Sequence, residues 1–279
     1  MKKITKNLLL PVIAVLGLTS CGAPKVEPEV AKQRAQKITE VQESKEFELP
    51  KKFYIDEDST IQVNNGDNKA TANTTSIMSV DIENFQVYLS SKITGVEITE
   101  SSLSMWMYLE GNTFYSVAEV NDKKTYTKVT VEINDFNFAE AASEIVNQIY
   151  EFLTGASYLD LKQYEKVSNG VTNTVDIDFG TPTLTYTSTG EGNLGISQKA
   201  SINTSFTVNS KTFSAKGSSS LNVQFDNYIL SSLKSDSSLS LNSNGEKAEI
   251  NSKIRTNVHL NKAKFSKPDL SNFTEETGK

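Results

Sequence analysis

The sequence is short of the residues on which most metal sites and many catalytic sites depend. It contains one cysteine, one histidine and one tryptophan among 279 residues. One cysteine cannot form an intramolecular disulfide or a cysteine-based zinc site, and one histidine cannot supply a two-histidine metal site. The formal net charge of −6 also disfavours binding to a nucleic-acid backbone. We therefore expect a non-enzymatic protein with no cofactor, no metal and no nucleic-acid partner.

Long hydrophobic runs are also scarce, and the one that stands out lies at the N-terminus. It covers Leu8–Leu18 and follows the basic residues Lys2, Lys3 and Lys6. An apolar run of this length is too short to cross a hydrocarbon core of about 30 Å as a helix, but it is typical of a signal peptide. The sequence therefore predicts a signal peptide over residues 1–20.

The end of this run carries the most specific motif in the chain. Leu18-Thr19-Ser20-Cys21 is followed by a glycine, and this pattern resembles the lipobox of bacterial lipoproteins. The resemblance implies that a peptidase cuts before Cys21 and that Cys21 carries acyl chains. Residues 21–28 would then be a lipidated tether. Two or three acyl chains anchor a protein stably, whereas a single chain is marginal.

Removal of the signal peptide would make the protein more acidic. It takes away three lysines and no acidic residue, so the formal net charge changes from −6 to −9. A protein this acidic is not drawn to an anionic membrane surface by its own charge. The expected partner is therefore the membrane, reached through the acyl chains on Cys21 at the extracytoplasmic face of the cell membrane.

The segment after the tether is predicted to be helical. Residues 29–49 contain no glycine or proline, and Val30, Ile38 and Val41 recur at near-helical spacing. Pro50 disfavours continuation of the helix. Residues 50–279 are predicted to form an antiparallel β domain.

Alternation of apolar and polar residues dominates that domain and predicts strands half-buried on one face. The clearest example places Leu103, Met105 and Met107 on one face and Trp106 and Tyr108 on the other. Asn-Gly pairs between alternating runs mark hairpin turns.

Helical spacing replaces the alternation once, near the middle of the chain. Apolar residues three and four apart predict helices at about 137–154 and 157–168. The apolar stripe of the first helix would face the sheet, where it could line a chamber or fill a core. Its candidate ligand-binding residues are Phe138, Ile145, Ile149 and Phe152. Trp106 joins them as a candidate because it lies in the densest aromatic patch.

A long antiparallel sheet, interrupted by a helix pair and preceded by a lipobox, resembles the lipoprotein carrier superfamily with its LolA-like and LppX/LprG-like half-barrels. In that superfamily a curved sheet wraps central helices, and acyl chains occupy the gap. The resemblance implies a mainly β fold with helices (α+β), in which a single curved antiparallel sheet wraps over a central helix pair, with an N-terminal helix. A β-sandwich, or two β-modules split at the helix pair, is the alternative.

Groups suited to catalysis or metal binding are few. His259 falls on a polar strand face and is expected to be exposed and non-catalytic. The carboxylates of Asp56–Asp58, Asp176 and Asp178 could bind Ca²⁺ or act as acids and bases, but no EF-hand spacing surrounds them. Solvated polar positions explain these carboxylates.

The expected function is that of a membrane-anchored extracytoplasmic lipoprotein that binds or carries a lipid or amphiphile without catalysis. The alternative is a surface-displayed structural or adhesion lipoprotein with a packed core. Both remain open on the sequence, because a ligand chamber and a dry core require the same apolar side chains.

Overall fold

The computed structural model describes residues 23–66, 68–132, 143–165, 175–176, 181–208, 211–243 and 246–276. The predicted signal peptide, Cys21 and Phe138 lie outside these residues. The predicted lipidation of Cys21 and the predicted role of Phe138 in ligand binding are therefore not tested by the structure.

Strands account for most of the described chain. They are β1 (Lys25–Val26), β2 (Lys52–Asn65), β3 (Asn68–Asp81), β4 (Gln86–Val96), β5 (Ser101–Glu110), β6 (Thr113–Val120), β7 (Lys123–Thr130), β8 (Val175–Asp176), β9 (Thr183–Gly190), β10 (Asn193–Val208), β11 (Lys211–Asp226), β12 (Ile229–Ser243), β13 (Glu246–Leu260) and β14 (Thr274–Glu275). The longest, β10 and β11, have 16 residues each. At about 3.3 Å per residue, such strands are about 50 Å long.

All of these strands belong to one sheet. Its order is β1-β9-β10-β11-β12-β13-β2-β3-β4-β5-β6-β7-β14, and β8 pairs with β10. Neighbouring strands are antiparallel, except that β14 runs parallel to β7. The pairing of β13 with β2 joins strands far apart in sequence, from Ala248 opposite Asn65 to Leu260 opposite Phe53. This pairing makes the N-terminal and C-terminal strands one continuous sheet.

The helices are few and short. They are α1 (Pro28–Gln42), α2 (Ser143–Thr154), α3 (Ala156–Leu159) and α4 (Lys162–Glu165). A single 3-10 turn covers Leu270–Asn272. In the segment predicted to be helical over residues 29–49, α1 ends at Gln42.

The predicted fold class, a half-barrel sheet wrapped over a central helix pair with an N-terminal helix, is wrong. The described chain is mostly strand in a single mixed sheet, and no central helix pair exists among its residues. The first predicted helix ends where expected, because α2 ends at Thr154 and Gly155 takes a left-handed backbone (φ 55°). In the region of the second predicted helix, Asp160 takes an extended backbone, so the described residues form two four-residue helices. The alternative of separate β-modules is also wrong, because β13 pairs with β2 along its length.

Two apolar clusters attach the helices to the sheet. The first joins α1, through Ala31, Ala35 and Ile38, to residues of β9–β12 such as Phe225. The second joins Ile149 and Leu153 of α2 to Phe53, Ile55, Val80 and Val87 in β2–β4. Both clusters lie at the end of the sheet where β2 begins and β13 ends, which we call the base.

A buried side-chain amide connects the two helices with the sheet. Gln42, at the end of α1, is 8% exposed. Its Nε2 donates to the carbonyl oxygens of Thr154 at 2.8 Å and Tyr228 at 2.7 Å. Both N–H donors of this amide are thus used, as burial of a polar group requires.

Asp81 organises the turn between β3 and β4. Its carboxylate accepts hydrogen bonds from the backbone N–H of Asn84 at 3.1 Å and from Asn84 Nδ2 at 2.7 Å. Lys52 Nζ lies 2.8 Å from Asp81 Oδ2, and the Asp81 side chain is 5% exposed. Burial alone would raise the pKa of Asp81, but the hydrogen bonds from Lys52 and Asn84 outweigh it and hold the pKa below its usual value.

We expect Asp81→Asn to destabilise the protein near neutral pH and to lose this effect in acid. The folded-state pKa of Asp81 lies below the unfolded value of about 3.9, so the stabilisation is fully present above that value. It disappears as the pH falls through the folded-state pKa. Urea unfolding of both proteins across the acid range measures the difference, and a difference that stays constant with pH would contradict the assignment.

Candidate functional site

The register of the sheet divides its side chains between two faces, because alternate residues of a strand point to opposite sides. The inner face, as we call it, packs against the helices and includes Phe53 and Val80, which lie opposite each other in β2 and β3. The outer face carries the residues between them. Residues 262–276, which we call the tail, cross the outer face and end in β14 beside β7.

Charge is segregated between these faces. In β2–β7 and β9–β13, Glu57 and Lys123 are the only charged residues at inner-face positions whose side chains the structure describes. The outer face holds many, including Asp58, Lys253 and Arg255. A charged outer face is suited to water, whereas a nearly uncharged inner face is suited to apolar contacts.

The described helices are too short to cover this inner face. At 1.5 Å per residue, α1 and α2 are only about 22 Å and 18 Å long, against strands of about 50 Å. Both helices pack at the base of the sheet. The part of the inner face away from the base, which we call the distal part, lies beyond these packing contacts.

The distal part is apolar on both sides of the β13–β2 pairing. On one side, Leu239, Leu241 and Ile250 form a third cluster. On the other, Leu103 in β5 and Val120 in β6 lie directly opposite each other. Leu103 is 37% exposed and Val120 is 45% exposed, so apolar surface faces solvent here.

A band of buried hydroxyl groups separates the base from the third cluster. Ser219, Ser237 and Ser252 lie side by side on β11, β12 and β13. They are 4%, 8% and 7% exposed respectively, and Ser235 beside them is 7% exposed. Ser237 Oγ is buried without a hydrogen-bond partner among the described residues. Such a hydroxyl can donate a hydrogen bond to a polar group of a bound ligand, or accept one from it.

Among the described inner-face side chains, Glu57 is the one acidic group near this band. Its Oε2 accepts a hydrogen bond from Thr256 Oγ1 at 3.1 Å. Burial raises the pKa of the Tyr158 hydroxyl in α3, and the charge of Glu57 raises it further. Glu57 therefore gives the inner face a negative charge close to the helices.

Among the predicted ligand-binding residues, Ile149 and Phe152 pack in one cluster, whereas Trp106 lies on the other side of the sheet. Ile149 is 3% exposed and belongs to the core beneath α2, and Phe152 is partly buried between the two base clusters. Ile145 lies in α2, but its side chain is outside the described part. Trp106 lies on the outer face, because its neighbour Met107 is opposite the core residue Val87.

Trp106 instead contributes to a cavity beneath the tail. The cavity has a volume of about 490 Å³. Ile77, Tyr88 and Trp106 line it from the sheet, and Lys264, Phe265 and Lys267 line it from the tail. The Tyr88 and Trp106 rings have centroids 5.4 Å apart, and their planes are tilted by 33°.

His259 takes part in a packed cluster on the outer face. Its Nε2 lies 2.9 Å from Asp56 Oδ2, and its ring stacks on Tyr54 with centroids 4.1 Å apart. The side chain is 32% exposed. His259 therefore lies on the polar face of its strand, as predicted. Its ring is half-buried and not fully exposed, because Asp56 and Tyr54 of the neighbouring strand β2 contact it.

The serine band and the tail are the features that the sequence did not reveal as functional. A signal for the band was present, since Ser235 and Ser237 occupy the same alternating positions as Leu233 and Leu239. For the tail, the signal was the pair of aromatic residues Phe265 and Phe273 in a mostly polar segment. Aromatic residues in such a segment indicate that it docks on a surface.

No protein-family model matches the chain, and no curated protein matches it significantly. Over the described part of the chain, no helix has the length and apolar character needed to span a bilayer. The same residues contain no group of three or more histidine, cysteine or acidic side chains placed to hold a metal ion.

Proposed function

We propose that the protein is a lipid-anchored extracytoplasmic lipoprotein that binds the acyl part of an amphiphile non-covalently on the inner face of its sheet. The observation that carries the proposal is the segregation of charge, which leaves a large sheet face with Glu57 and Lys123 as its only described charges. In its distal part, the apolar side chains of Leu103 and Val120 are exposed. Such a surface is typical of a binding site.

Acyl chains suit this apolar surface because their methylene groups gain free energy when they are removed from water. Each methylene group removed from water contributes about 0.8 kcal/mol, so ten of them would contribute about 8 kcal/mol before the cost of immobilising the ligand. Hydrocarbon needs no hydrogen-bond partner. The Leu103–Val120 pair offers this apolar surface, whereas the third cluster on the other half of the sheet is itself buried.

The polar groups of the inner face favour an uncharged headgroup. The hydroxyl groups of Ser219, Ser235, Ser237 and Ser252 suit the hydroxyl and ester groups of a neutral glycerolipid. Glu57 would repel an anionic headgroup. Lys123 lies opposite Val120 in β7, but its Nζ pairs with Glu276 at 3.6 Å. We therefore expect diacylglycerol to bind more tightly than phosphatidic acid with the same chains.

Lipidation at Cys21 would place this face next to its source of ligand. The described chain begins at residue 23, and α1 starts at Pro28 and packs on the base of the sheet. The anchor would therefore lie only a few residues from the folded domain. Attachment would depend on the acyl chains, because the protein without its signal peptide has a net charge of −9.

A matched pair of valine-to-lysine substitutions tests the site. Val120→Lys puts a charge on the inner face and should weaken acyl binding by at least about tenfold, since it replaces apolar contact with a group that must stay hydrated. Val96→Lys makes the same change on the outer face. The valines are 45% and 60% exposed, so neither change should alter the unfolding free energy by more than about 0.5 kcal/mol.

The measurement is titration of each variant with a fluorescent diacylglycerol. Val96→Lys should bind as the wild type does, and Val120→Lys should bind weakly. Equal affinity of all three proteins would contradict the placement of the ligand on the inner face.

A further inference from the structure

The tail is held against the outer face by contacts along its whole length. The backbone N–H of Lys264 donates to Ser79 Oγ at 2.7 Å. The Phe265 ring meets Tyr108 edge-on with centroids 5.8 Å apart, and Phe273 meets Trp106 in the same way at 6.4 Å. These contacts hold the tail over the cavity as a roof.

The cavity has the size and composition of a small-molecule site. Its volume of about 490 Å³ lies within the range of about 300–1,000 Å³ that is usual for ligand pockets. Ile77, Tyr88 and Trp106 give it a mainly apolar floor. Flat rings stack well on such aromatic surfaces.

Two lysine residues of the tail set the charge of the cavity. Lys267 Nζ lies 2.6 Å from both carboxylate oxygens of Glu110, so these charges balance. Lys264 Nζ lies 4.2 Å from the centroid of the Tyr54 ring, and no carboxylate lies within salt-bridge distance of it among the described residues. The cavity therefore has one uncompensated cation in a protein that is acidic overall.

We propose that this cavity binds a flat aromatic ring that carries one acidic group. The ring lies on Trp106 and Tyr88, and the acidic group pairs with Lys264. A carboxylate held by an ammonium forms a charge-assisted hydrogen bond, which is about twice as strong as a neutral one. A saccharide fits less well, because its many hydroxyl groups need more polar partners than this lining offers.

The sole tryptophan makes the site observable in the unmodified protein. Trp106 is the only tryptophan in the chain, so its emission reports on the cavity and not on the inner face. The protein, with its tail in place, should be titrated with biphenyl-4-carboxylate and with its neutral isostere biphenyl-4-carboxamide. We expect a saturable change in Trp106 emission with both and at least about tenfold tighter binding of the carboxylate at low salt.

Substitutions separate the charge from the shape of the site. Lys264→Gln removes the cation but keeps the backbone hydrogen bond to Ser79, and it should make the carboxylate and the carboxamide bind equally. Lys262→Gln is the control, since Lys262 is an exposed tail residue outside the cavity lining. Ile77→Phe should reduce the binding of both compounds by filling the cavity.

The emission spectrum of each ligand-free variant shows whether the tail remains in place. A variant with the wild-type spectrum keeps Phe265 and Phe273 over the outer face, and its binding data then test the site directly. Equal affinity of the wild type for the carboxylate and the carboxamide would overturn the proposal. So would the absence of a saturable change with either compound.

Discussion

Replacement of Leu153 by alanine is expected to lower the free energy of unfolding by about 2–5 kcal/mol. Leu153 is completely buried and belongs to the cluster that holds α2 on β2–β4. The adjacent Thr154 carbonyl accepts the hydrogen bond from Gln42 that connects α1 with α2. A cavity under Leu153 would therefore loosen both helices from the base of the sheet.

Tyr150→Ala is the matched control for this prediction. Tyr150 lies one turn earlier on the same helix but is 43% exposed, so its truncation should change the unfolding free energy by only about 0.5 kcal/mol. Chemical denaturation of both variants provides the comparison. Similar losses for the two variants would show that α2 is not docked through Leu153.

Replacement of Gly217 by alanine is the second change with a large expected effect, about 3 kcal/mol of destabilisation. An added Cβ would lie 2.0 Å from the carbonyl oxygen of Ser238 and 3.0 Å from the Cα of Leu239. Both are backbone atoms of the neighbouring strand, so no side-chain rotation relieves the contact. The pairing of β11 with β12 has to shift, which disturbs the third cluster beside it.

Gly190→Ala tests whether this loss is specific to position 217. Gly190 is also a paired strand residue of the sheet, but a Cβ there meets no atom within 4 Å. We expect Gly190→Ala to unfold at the same denaturant concentration as the wild type. A Gly217→Ala protein with wild-type stability would contradict the close approach of β11 and β12.

Local pattern was enough to predict the two faces of β5. The alternation around Trp106 correctly separated Met105 and Met107 from Trp106 and Tyr108, because a strand has a period of two whatever its partners are. Pairing between distant strands has no such local signal. The contact of β13 with β2, which makes the sheet continuous, connects residues about 200 positions apart and contradicts the alternative of two β-modules.

The end of α2 at Thr154 agrees with the predicted end of the first helix, because Gly155 carries a local signal for a helix end. Apolar spacing did not show that Asp160 interrupts the second predicted helix. The grouping of Trp106 with the apolar stripe of α2 does not hold, for a topological reason. The sheet separates Trp106 on its outer face from Ile149 and Phe152 on its inner face.

The serine band shows why a site can be hidden in a correct strand prediction. The alternation places Ser235 and Ser237 on the same face as Leu233 and Leu239, but it does not show that these serines are buried. Only the register places Ser219, Ser237 and Ser252 side by side on one face. Their burial, with Ser237 Oγ lacking a partner among the described residues, distinguishes them from solvated serines.

Native mass spectrometry of the protein purified from its own host cells tests the central claim most directly. All variants are compared in a Cys21→Ser form, which lacks the acyl anchor and carries only ligand that the folded domain holds. We predict a non-covalent adduct with the mass of an uncharged acyl lipid, present with Val120 intact and with Val96→Lys, and depleted with Val120→Lys. Bare protein from the cells, with no uptake of diacylglycerol from vesicles, would contradict the account.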